Sequence, residues 1–397
     1  MKILFWMFSG FDRHITSEHL LIDIIEQLCQ QGHEVHILQE DTGGDLPHIP
    51  VKLKDYSLTT TVLPYHTTGK GNLRMRYLAE CRYVYACKKY MLPDYDAVFI
   101  QSNPVAGVAI RLLRRRIPYA HITLNIQDIF PYNAAYSGKL KQQSLTFKIL
   151  SFVQRYGYTH ADRLITISED MKDLLVQDGI EADKVKVIYN WSYQDEPYNN
   201  NKMNFSVVSH LFSKEYFNVV YAGNIGVMQN VDILVEAAKL MKDDKQIWFH
   251  IIGDGVYKEK LMQKAKAYGL NNLSFWPMQP PELAPVIYSA ADINVIPLAK
   301  DIYKTALPSK TATCLACGKP IIFAVGRASR FGKKLMQNTG CLFIESDNPA
   351  QLVAAIKKNQ EKRDFVHTEV YFKHHFQKTK NAARYAQIIA TYSAVGR

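Results

Sequence analysis

The sequence predicts an α/β protein with two doubly wound domains, each built on a parallel sheet. Short apolar runs alternate with longer amphipathic stretches from one end to the other, which is the pattern of repeated βα units. The 397 residues provide enough chain for two or three domains of roughly 150 residues each. A stretch rich in Asn, Tyr and charge, Trp191–Asn204, interrupts the alternation. We therefore expect a linker near residues 191–215.

Each element follows from its local pattern. In the first half, strands are predicted at Ile3–Phe8, Glu34–Gln39, Ala97–Gln101, Tyr119–Asn125, Arg163–Ile167 and Lys186–Tyr189. In the second half, they are predicted at Asn218–Ala222, Ile247–Ile252, Leu273–Trp276, Asp292–Ile296, Pro320–Val325 and Cys341–Ile344. Helical spacing of apolar residues predicts the intervening helices, among them Ile15–Gln31, Asn103–Arg115, Gln229–Lys242, Tyr257–Tyr268 and a final stretch at Val366–Val395. Ligands of such sheets bind outside the carboxyl ends of the strands, so two facing domains would enclose a central cleft.

Composition excludes several classes of protein. Hydrophobic residues make up 47% and charged residues 21% of the chain, as in ordinary globular proteins. No run reaches the roughly 18 apolar residues of a membrane helix, and Ile3–Phe8 is too short for a signal peptide. Cys314 and Cys317 form a C-x-x-C without the second pair that a zinc site needs, so we expect no metal. The net charge of +11 favours phosphate-rich small molecules, acidic lipid surfaces or nucleic acid.

Two glycine turns follow predicted strands of the second half. Gly223-Asn224-Ile225-Gly226 precedes a helix, where backbone N–H groups can approach a phosphate. Gly253-Asp254-Gly255 lies at an equivalent place, but Lys258 replaces the third glycine of a dinucleotide fingerprint. NAD binding is therefore not expected. Either turn could instead carry glycine only for its backbone conformation.

A third motif, Leu307-Pro308-Ser309-Lys310, opens a short predicted helix that ends at Gly318. Lys310 in the first turn opposes the helix dipole, at a typical cost of about 0.3–1 kcal/mol. A bound anion would explain a lysine at this position. The alternative is a solvated lysine.

Together these motifs resemble family 4 glycosyltransferases, especially the branch serving capsule, O-antigen and colanic-acid polysaccharide synthesis. In the second half the resemblance also rests on Ala290-Ala291-Asp292, Ile296-Pro297 and Ala316-Cys317-Gly318-Lys319-Pro320. In the first half it rests on Gln127-Asp128-Ile129-Phe130-Pro131, Ala161-Asp162-Arg163, Thr166-Ile167-Ser168-Glu169 and Val187-Ile188-Tyr189-Asn190. The ordered set is more specific than any single motif.

The resemblance implies the GT-B fold, with an acceptor-binding Rossmann-like domain at 1–200 and a nucleotide-sugar-binding one at 201–370. Residues 371–397 would form a C-terminal helix that crosses back to the first domain. It further implies that a sugar is transferred from a nucleotide-sugar donor with retention of anomeric configuration. A UDP-linked donor is favoured over other nucleotide sugars, and no cofactor is expected. Asp128 and Lys310 are the expected catalytic residues. The expected donor-binding residues are Gly10, Gly223, Asn224, Gly226, Gly253, Pro308, Ser309, Lys310 and Thr313.

The sequence departs from the family pattern at four positions. Asn224 and Gln229 stand where the wider family often has Arg and Lys for the donor diphosphate. Thr305 and Thr313 stand where it often has two glutamates. Similar losses occur in the polysaccharide branch. They leave the identity of the donor nucleotide open. The positive charge that balances the donor diphosphate would then come mainly from Lys310 and from helix N-termini.

The acceptor side is predicted from basic residues interleaved with aromatic ones. Between Gly69 and Met91 only Glu80 is acidic, while Tyr77, Tyr83, Tyr85 and Tyr90 accompany the cations. The candidate acceptor- or membrane-binding residues are Arg13, His14, Arg74, Arg76, Arg82, Lys88, Lys89, Arg114 and Arg115. Such residues suit an anionic bilayer or a nucleic acid. The lipid-diphosphate acceptors typical of the resembling branch favour the membrane, at the cytoplasmic face of the plasma membrane, and no nucleic-acid partner.

Three alternatives stay open at the level of sequence. A non-hydrolysing UDP-sugar 2-epimerase of the same fold would need paired acidic and basic site residues. A nucleic-acid-binding protein would fit the charge alone. A catalytically silent GT-B subunit would fit the departures at Asn224, Gln229, Thr305 and Thr313.

Overall fold

The computed structural model describes residues 1–13, 18–64, 73–199, 203–361 and 368–391, with the side chains of 73 and 74 left out. The chain divides into two compact units. Unit 1 contains Met1–Asn190 and Lys378–Arg397, and unit 2 contains Trp191–Gln377. Each unit is an α/β domain with one parallel sheet.

Unit 1 is built on a seven-stranded parallel sheet in the order β3-β2-β1-β4-β5-β6-β7. Its strands are β1 Lys2–Trp6, β2 Glu34–Asp41, β3 Leu58–Pro64, β4 Ala97–Gln101, β5 His121–Ile126, β6 Arg163–Thr166 and β7 Val185–Val187. Its first helices are α1 Glu18–Gln30, α2 Leu73–Ala86, α3 Ala106–Arg116, α4 Tyr132–Tyr136, α5 Leu145–His160 and α6 Glu169–Gln177. The central strands β4 and β5 are almost wholly buried, as expected for a sheet covered on both faces. The strand order reverses between β1 and β4, where such sheets bind ligands.

Unit 2 repeats this topology with six parallel strands in the order β10-β9-β8-β11-β12-β13. The strands are β8 Phe217–Ala222, β9 Ile247–Ile252, β10 Leu273–Trp276, β11 Ile293–Pro297, β12 Ile321–Ala324 and β13 Leu342–Ile344. The helices are α7 Asp232–Leu240, α8 Lys258–Ala267, α9 Ala284–Ala290, α10 Lys310–Ala316, α11 Arg330–Thr339, α12 Pro349–Glu361 and α13 Thr368–His375. The reversal here lies between β8 and β11, so the segments that follow these strands form the expected ligand edge.

The predicted linker is packed on unit 2. Trp191 and Leu211 are each 2% exposed, and the N–H of Tyr198 donates to Ala316 O at 2.8 Å. These apolar anchors give the segment a place in the second unit, although its overall composition is that of a linker. The division of the chain accordingly follows Asn190, whereas the predicted first domain ended at residue 200.

The C-terminal region is two helices where the sequence predicted one stretch. After α13, which packs on α10 and α11, the chain continues into α14 Lys378–Ile389. Helix α14 belongs to unit 1 and packs against α1. Buried Tyr385 and Ile389 hold it there. Among the described strands, the one that the sequence analysis missed is β3, which lies at the edge of the sheet and pairs with β2. Its residues are mostly half-exposed, so it lacks the continuous apolar run of the other strands.

Candidate functional site

The two glycine turns of unit 2 lie against each other. The N–H of Ile225 donates to Asp254 O at 2.7 Å. A Cβ added at Gly253, where φ is +149°, would lie 1.9 Å from Gly223 O. Only glycine permits this backbone approach. The N–H groups of Asn224 and Gly226 find no acceptor within the described residues, so the first turn presents free donors at the carboxyl end of β8.

The sequence predicts that the helix after this turn begins at Gln229, and the structure corrects this. A short 3-10 turn, Val227–Gln229, separates Gly226 from α7. Helix α7 then begins at Asp232, whose carboxylate pairs with Lys264 at 2.7 Å. An acid in the first turn already occupies the positive end of this helix. The binding potential of the turn therefore comes from its own N–H groups and from Lys310.

Lys310 is folded against the first glycine turn. Its Nζ donates to Ala222 O at 2.7 Å and lies 3.8 Å from the ring centroid of Tyr221. A Cβ at Gly223 would lie 2.7 Å from the same Nζ. No carboxylate pairs with Lys310 in the described part of the chain. Desolvation consequently lowers the pKa of Lys310 to about 7. This is a cation held without a counterion, and an anion placed beside it would restore its charge.

Tyr221 is a site residue that the sequence analysis missed. Its ring faces Lys310, and its hydroxyl donates to Asn224 O. Tyr288 adds a second anchor, since its hydroxyl donates to Ala222 O at 3.1 Å. Tyr221 stands two residues before Gly223, and a tyrosine within a strand is ordinarily interpreted as a core residue. Only the pairing of β8 with its neighbours shows which side of the strand it occupies.

The remaining donor-side candidates are polar and uncharged. Asn224 Nδ2 donates to Gln229 Oε1 at 3.3 Å, across Gly226. Thr305 is fully buried and its hydroxyl donates to Ile302 O, so it is not free for a ligand. Thr313 is half-buried on α10. Pro308 is half-buried and Ser309 exposed, with no side-chain cap on α10. The structure therefore brings together Gly223, Asn224, Gly226, Gly253 and Lys310, with Pro308 and Ser309 leading into Lys310.

In unit 1, the loop after β1 is tied to the loop after β2. A Cβ at Gly10 would lie 2.2 Å from Glu40 O, so the first loop packs closely on the backbone at the end of β2. The carboxylate of Asp12 accepts from the N–H groups of Thr42 and Gly44 at 2.9 and 2.8 Å. Desolvation opposes these bonds, yet they outweigh it and lower the pKa of Asp12. Arg13 is exposed beside this loop. His14 lies outside the described residues.

Asp128 follows β5 and has no hydrogen-bond partner within the described residues. It does not cap α4, whose N-cap is Pro131. Although the residue is exposed to water, desolvation by the surrounding protein raises the pKa of its carboxyl to about 6. A carboxyl with a raised pKa and no structural partner is a candidate acid or base.

The segment that carries Asp128 is fixed by helix α14. Tyr385 Oη donates to Asn125 Oδ1 at 3.0 Å. The same oxygen accepts from Gln127 Nε2 at 3.1 Å, and Gln127 Oε1 accepts from Asn190 Nδ2 at 2.7 Å. The hydroxyl of Tyr385 is buried, so this chain of bonds holds the residue before Asp128 from two sides.

The predicted acceptor-side cations differ in how they are used. Arg114 is a structural residue: its guanidinium bonds His160 O and Ala120 O and pairs with Asp162 at 2.6 Å. Arg76 pairs with Glu80 at 3.0 Å. Arg82, Lys88, Lys89 and Arg115 are exposed, and the side chain of Arg74 lies outside the described residues. Of the interleaved aromatic residues, Tyr83 is buried and donates to Met7 O.

Cys314 and Cys317 are both buried, and burial raises the pKa of each thiol. Across the residues that the structure describes, no three His, Cys, Asp or Glu side chains group as metal ligands would. None of the described helices is both long and apolar enough to span a bilayer.

Both halves of the chain match family models of glycosyltransferases. The family model for a glycosyl transferase 4-like domain matches residues 21–191, and that for glycosyl transferases group 1 matches residues 216–361. WbjE of Pseudomonas aeruginosa, named a probable glycosyltransferase, is 25% identical over 62% of this chain and 61% of its own length. WcaI of Escherichia coli K12, named a colanic acid biosynthesis glycosyl transferase, is 23% identical over 85% of this chain and 86% of its own.

The fold is shared with solved structures. HepE of Anabaena, crystallised with UDP and glucose, superposes with a TM-score of 0.69, covers 98% of both chains and is 18% identical. With glycosyltransferase families matching both halves and two Rossmann-like units in the order of that fold, the chain is a GT-B glycosyltransferase and belongs to family 4.

Proposed function

We propose that this enzyme transfers a sugar, with retention of configuration, from a UDP-sugar to a membrane-associated, lipid-diphosphate-linked acceptor during surface polysaccharide synthesis. The sugar-transfer class rests on the family. The UDP donor is supported by HepE, whose crystals contain UDP and glucose. The polysaccharide role is supported by WcaI, whose name places it in colanic acid biosynthesis. The enzyme would act at the cytoplasmic face of the plasma membrane.

The observation that carries the donor side is Lys310 beside the first glycine turn. The leaving group of sugar transfer is a nucleoside diphosphate, so the developing charge lies on phosphate oxygens. Lys310 Nζ and the free N–H groups of Asn224 and Gly226 offer three donors at the carboxyl end of β8. A phosphate there would stabilise the protonated lysine and gain a charge-assisted hydrogen bond. The uncharged Asn224 and Gln229 leave Lys310 as the main source of positive charge.

On the acceptor side, we assign Asp128 the task of orienting or deprotonating the acceptor hydroxyl. The pKa of its carboxyl, about 6, keeps it ionised at neutral pH and close enough to neutrality to accept a proton. Among the described residues nothing bonds the Asp128 side chain, and the preceding Gln127 is held by Asn125 and Asn190; both features suit that task.

A nucleotide screen tests the donor. Thermal unfolding of the full chain is followed with UDP, GDP, ADP and CMP, and with the sugar conjugate of any nucleotide that binds. A ligand at 100 times its dissociation constant stabilises the folded state by about 2.7 kcal/mol. We expect a selective shift with UDP. A selective shift with another nucleotide would overturn the UDP assignment, and no shift with any would favour a silent subunit.

The stereochemistry is tested on the product. With an α-linked UDP-sugar and a lipid-diphosphate acceptor, the anomeric proton coupling of the new linkage reports its configuration by NMR. Retention predicts an α-linkage from an α-donor. A β-linked product would refute the retaining mechanism while leaving the donor assignment intact.

A further inference from the structure

A groove on unit 1 has no role in the chemistry proposed above. It lies between helices α2, α3 and α5 and has a volume of about 410 Å³. Its lining includes Gly107, Val108, Leu112 and Val153, together with the aromatic Tyr85, Phe152 and Tyr156. A Cβ at Gly107 would lie 1.8 Å from Val153 O, and one at Gly157 would lie 2.9 Å from Gly107 Cα. The glycines let α3 and α5 cross closely, which leaves the groove along one side of the crossing.

Two of the three helices that border the groove, α2 and α5, expose large apolar side chains to water. On α5, Leu145, Ile149 and Phe152 follow one another at helical spacing and are 72%, 53% and 73% exposed. On α2, Met75, Leu78 and Tyr85 share one face and are 63%, 59% and 65% exposed. Single exposed apolar residues are ordinary, but two such faces beside one groove form an interaction surface.

The same face is strongly cationic. Arg111 and Arg115 lie one helical turn apart on α3 and line the groove. Neither makes an ion pair with any residue in the described ranges. Across the sequences of α2, α3 and α5 only Glu80 is acidic, and it is buried and paired with Arg76. Lys88, Lys89 and Lys148 are exposed on or beside these helices.

We propose that this face, the α2–α3–α5 surface, docks onto an anionic phospholipid bilayer, with Arg111 and Arg115 holding lipid phosphates. The apolar faces of α2 and α5 would enter the boundary between head groups and acyl chains, as amphipathic helices do at interfaces. Charge complementarity selects this occupant. A second copy of the chain also carries +11 and would bring like charges together. This surface rests on the proposed membrane-bound acceptor, because a lipid-linked substrate requires the enzyme at the bilayer.

The test measures binding of the full-length protein to vesicles by flotation. Neutral phosphatidylcholine vesicles are compared with vesicles containing 30% phosphatidylglycerol, for wild type and an Arg111→Ala/Arg115→Ala double variant. Each cation near an anionic surface contributes about 1 kcal/mol, so the double variant should bind anionic vesicles about thirty-fold more weakly. Lys242→Ala/Lys266→Ala removes the same charge from exposed positions of unit 2 and should bind as wild type does.

A second pair of substitutions tests the apolar faces. Ile149→Ser/Phe152→Ser changes two exposed side chains, so thermal stability should be unaffected while vesicle binding falls at least ten-fold. Equal loss in both charge variants would show bulk charge attraction without a docking face. A change of oligomeric state in light scattering, with vesicle binding unaltered, would reassign the face to a second copy of the chain. Stabilisation by UDP is measured on the same variants. If the wild-type protein binds UDP but not anionic vesicles, the proposed α2–α3–α5 docking surface is wrong and the donor site stands. If it binds vesicles but not UDP, the proposed donor site is wrong and the docking surface stands.

Discussion

Replacement of Lys310 by Ala probes the donor site most directly. Lys310 Nζ donates to Ala222 O at 2.7 Å and lies over the Tyr221 ring. A phosphate oxygen of the donor would therefore be its first anionic partner in unit 2. A hydrogen bond to a charged group contributes about 1.5–3 kcal/mol. We expect the affinity of Lys310→Ala for UDP to fall about 10- to 150-fold.

The pH dependence of the UDP dissociation constant provides a second, independent test of the role of Lys310. Desolvation lowers the pKa of Lys310 to about 7 in the free enzyme, and a bound phosphate raises it again. Binding therefore takes up a proton above pH 7 and weakens as the pH rises. If only the protonated lysine binds, the dissociation constant increases about 25-fold between pH 6.5 and 8.5. Lys310→Ala lacks this group and should show no such rise.

Isothermal titration calorimetry with UDP at several pH values measures both effects. Lys266→Ala, an exposed lysine at the far end of α8, is the matched control. The terminal phosphate of UDP titrates near pH 6 equally for every variant, so the ratio of wild-type to Lys310→Ala affinity isolates the lysine. The reasoning would be refuted by equal dissociation constants, or by pH profiles that run parallel in wild type and Lys310→Ala.

Three further substitutions test the catalytic carboxyl, the glycine contact and the support from α14. Since desolvation raises the folded-state pKa of Asp128 above its ordinary value, ionisation of the carboxyl costs stability above about pH 6. Asp128→Asn should therefore be at least as stable as wild type to urea at pH 7.5 while losing sugar transfer, and wild-type transfer should decline below about pH 6; full activity in Asp128→Asn would refute its role. Gly253→Ala should lower the free energy of unfolding by more than about 3 kcal/mol through strain and overlap, because its Cβ would lie 1.9 Å from backbone. Gly269→Ala, with φ +61° and open space, should lower it by only about 1–2 kcal/mol, and similar losses would contradict the close contact. Tyr385→Phe deprives buried Asn125 of a donor and should cost about 1–3 kcal/mol; an unchanged urea midpoint would exclude that bond as a support.

On the donor side, sequence motifs predicted the positions of the site residues but not the contacts between them. Glycine and lysine patterns place Gly223 and Gly253 at strand ends and Lys310 in the first turn of a helix, and all three lie there. Their mutual contact depends on β8 pairing with β9 and with β11, which no local pattern encodes. The helix start was also misplaced, because a 3-10 turn at Val227–Gln229 precedes α7, which begins at Asp232.

The basic face shows the opposite limit. Charge alone grouped Arg114 with Arg115, adjacent in sequence, but they point to different neighbours. Arg114 reaches His160 and Asp162, distant in sequence, whereas Arg115 lines the groove. Leu145, Ile149 and Phe152 on α5 have the spacing of a buried helix face, yet all three are exposed. Only the folded unit shows that this face has no covering element among the described residues.

The sequence by itself determined the fold class, the alternation of strands and helices and the family, because periodicity and glycine placement are local consequences of backbone geometry and burial. Tertiary structure decided which charged groups are neutralised and which apolar faces remain open, since both depend on partners far away in the chain. Within the described ranges it thereby distinguished Lys310 and Asp128, which form no ion pair, from structural residues such as Arg114. The free energy of ionising or burying a side chain depends on all the groups around it, and those groups come together only when the sheets have assembled.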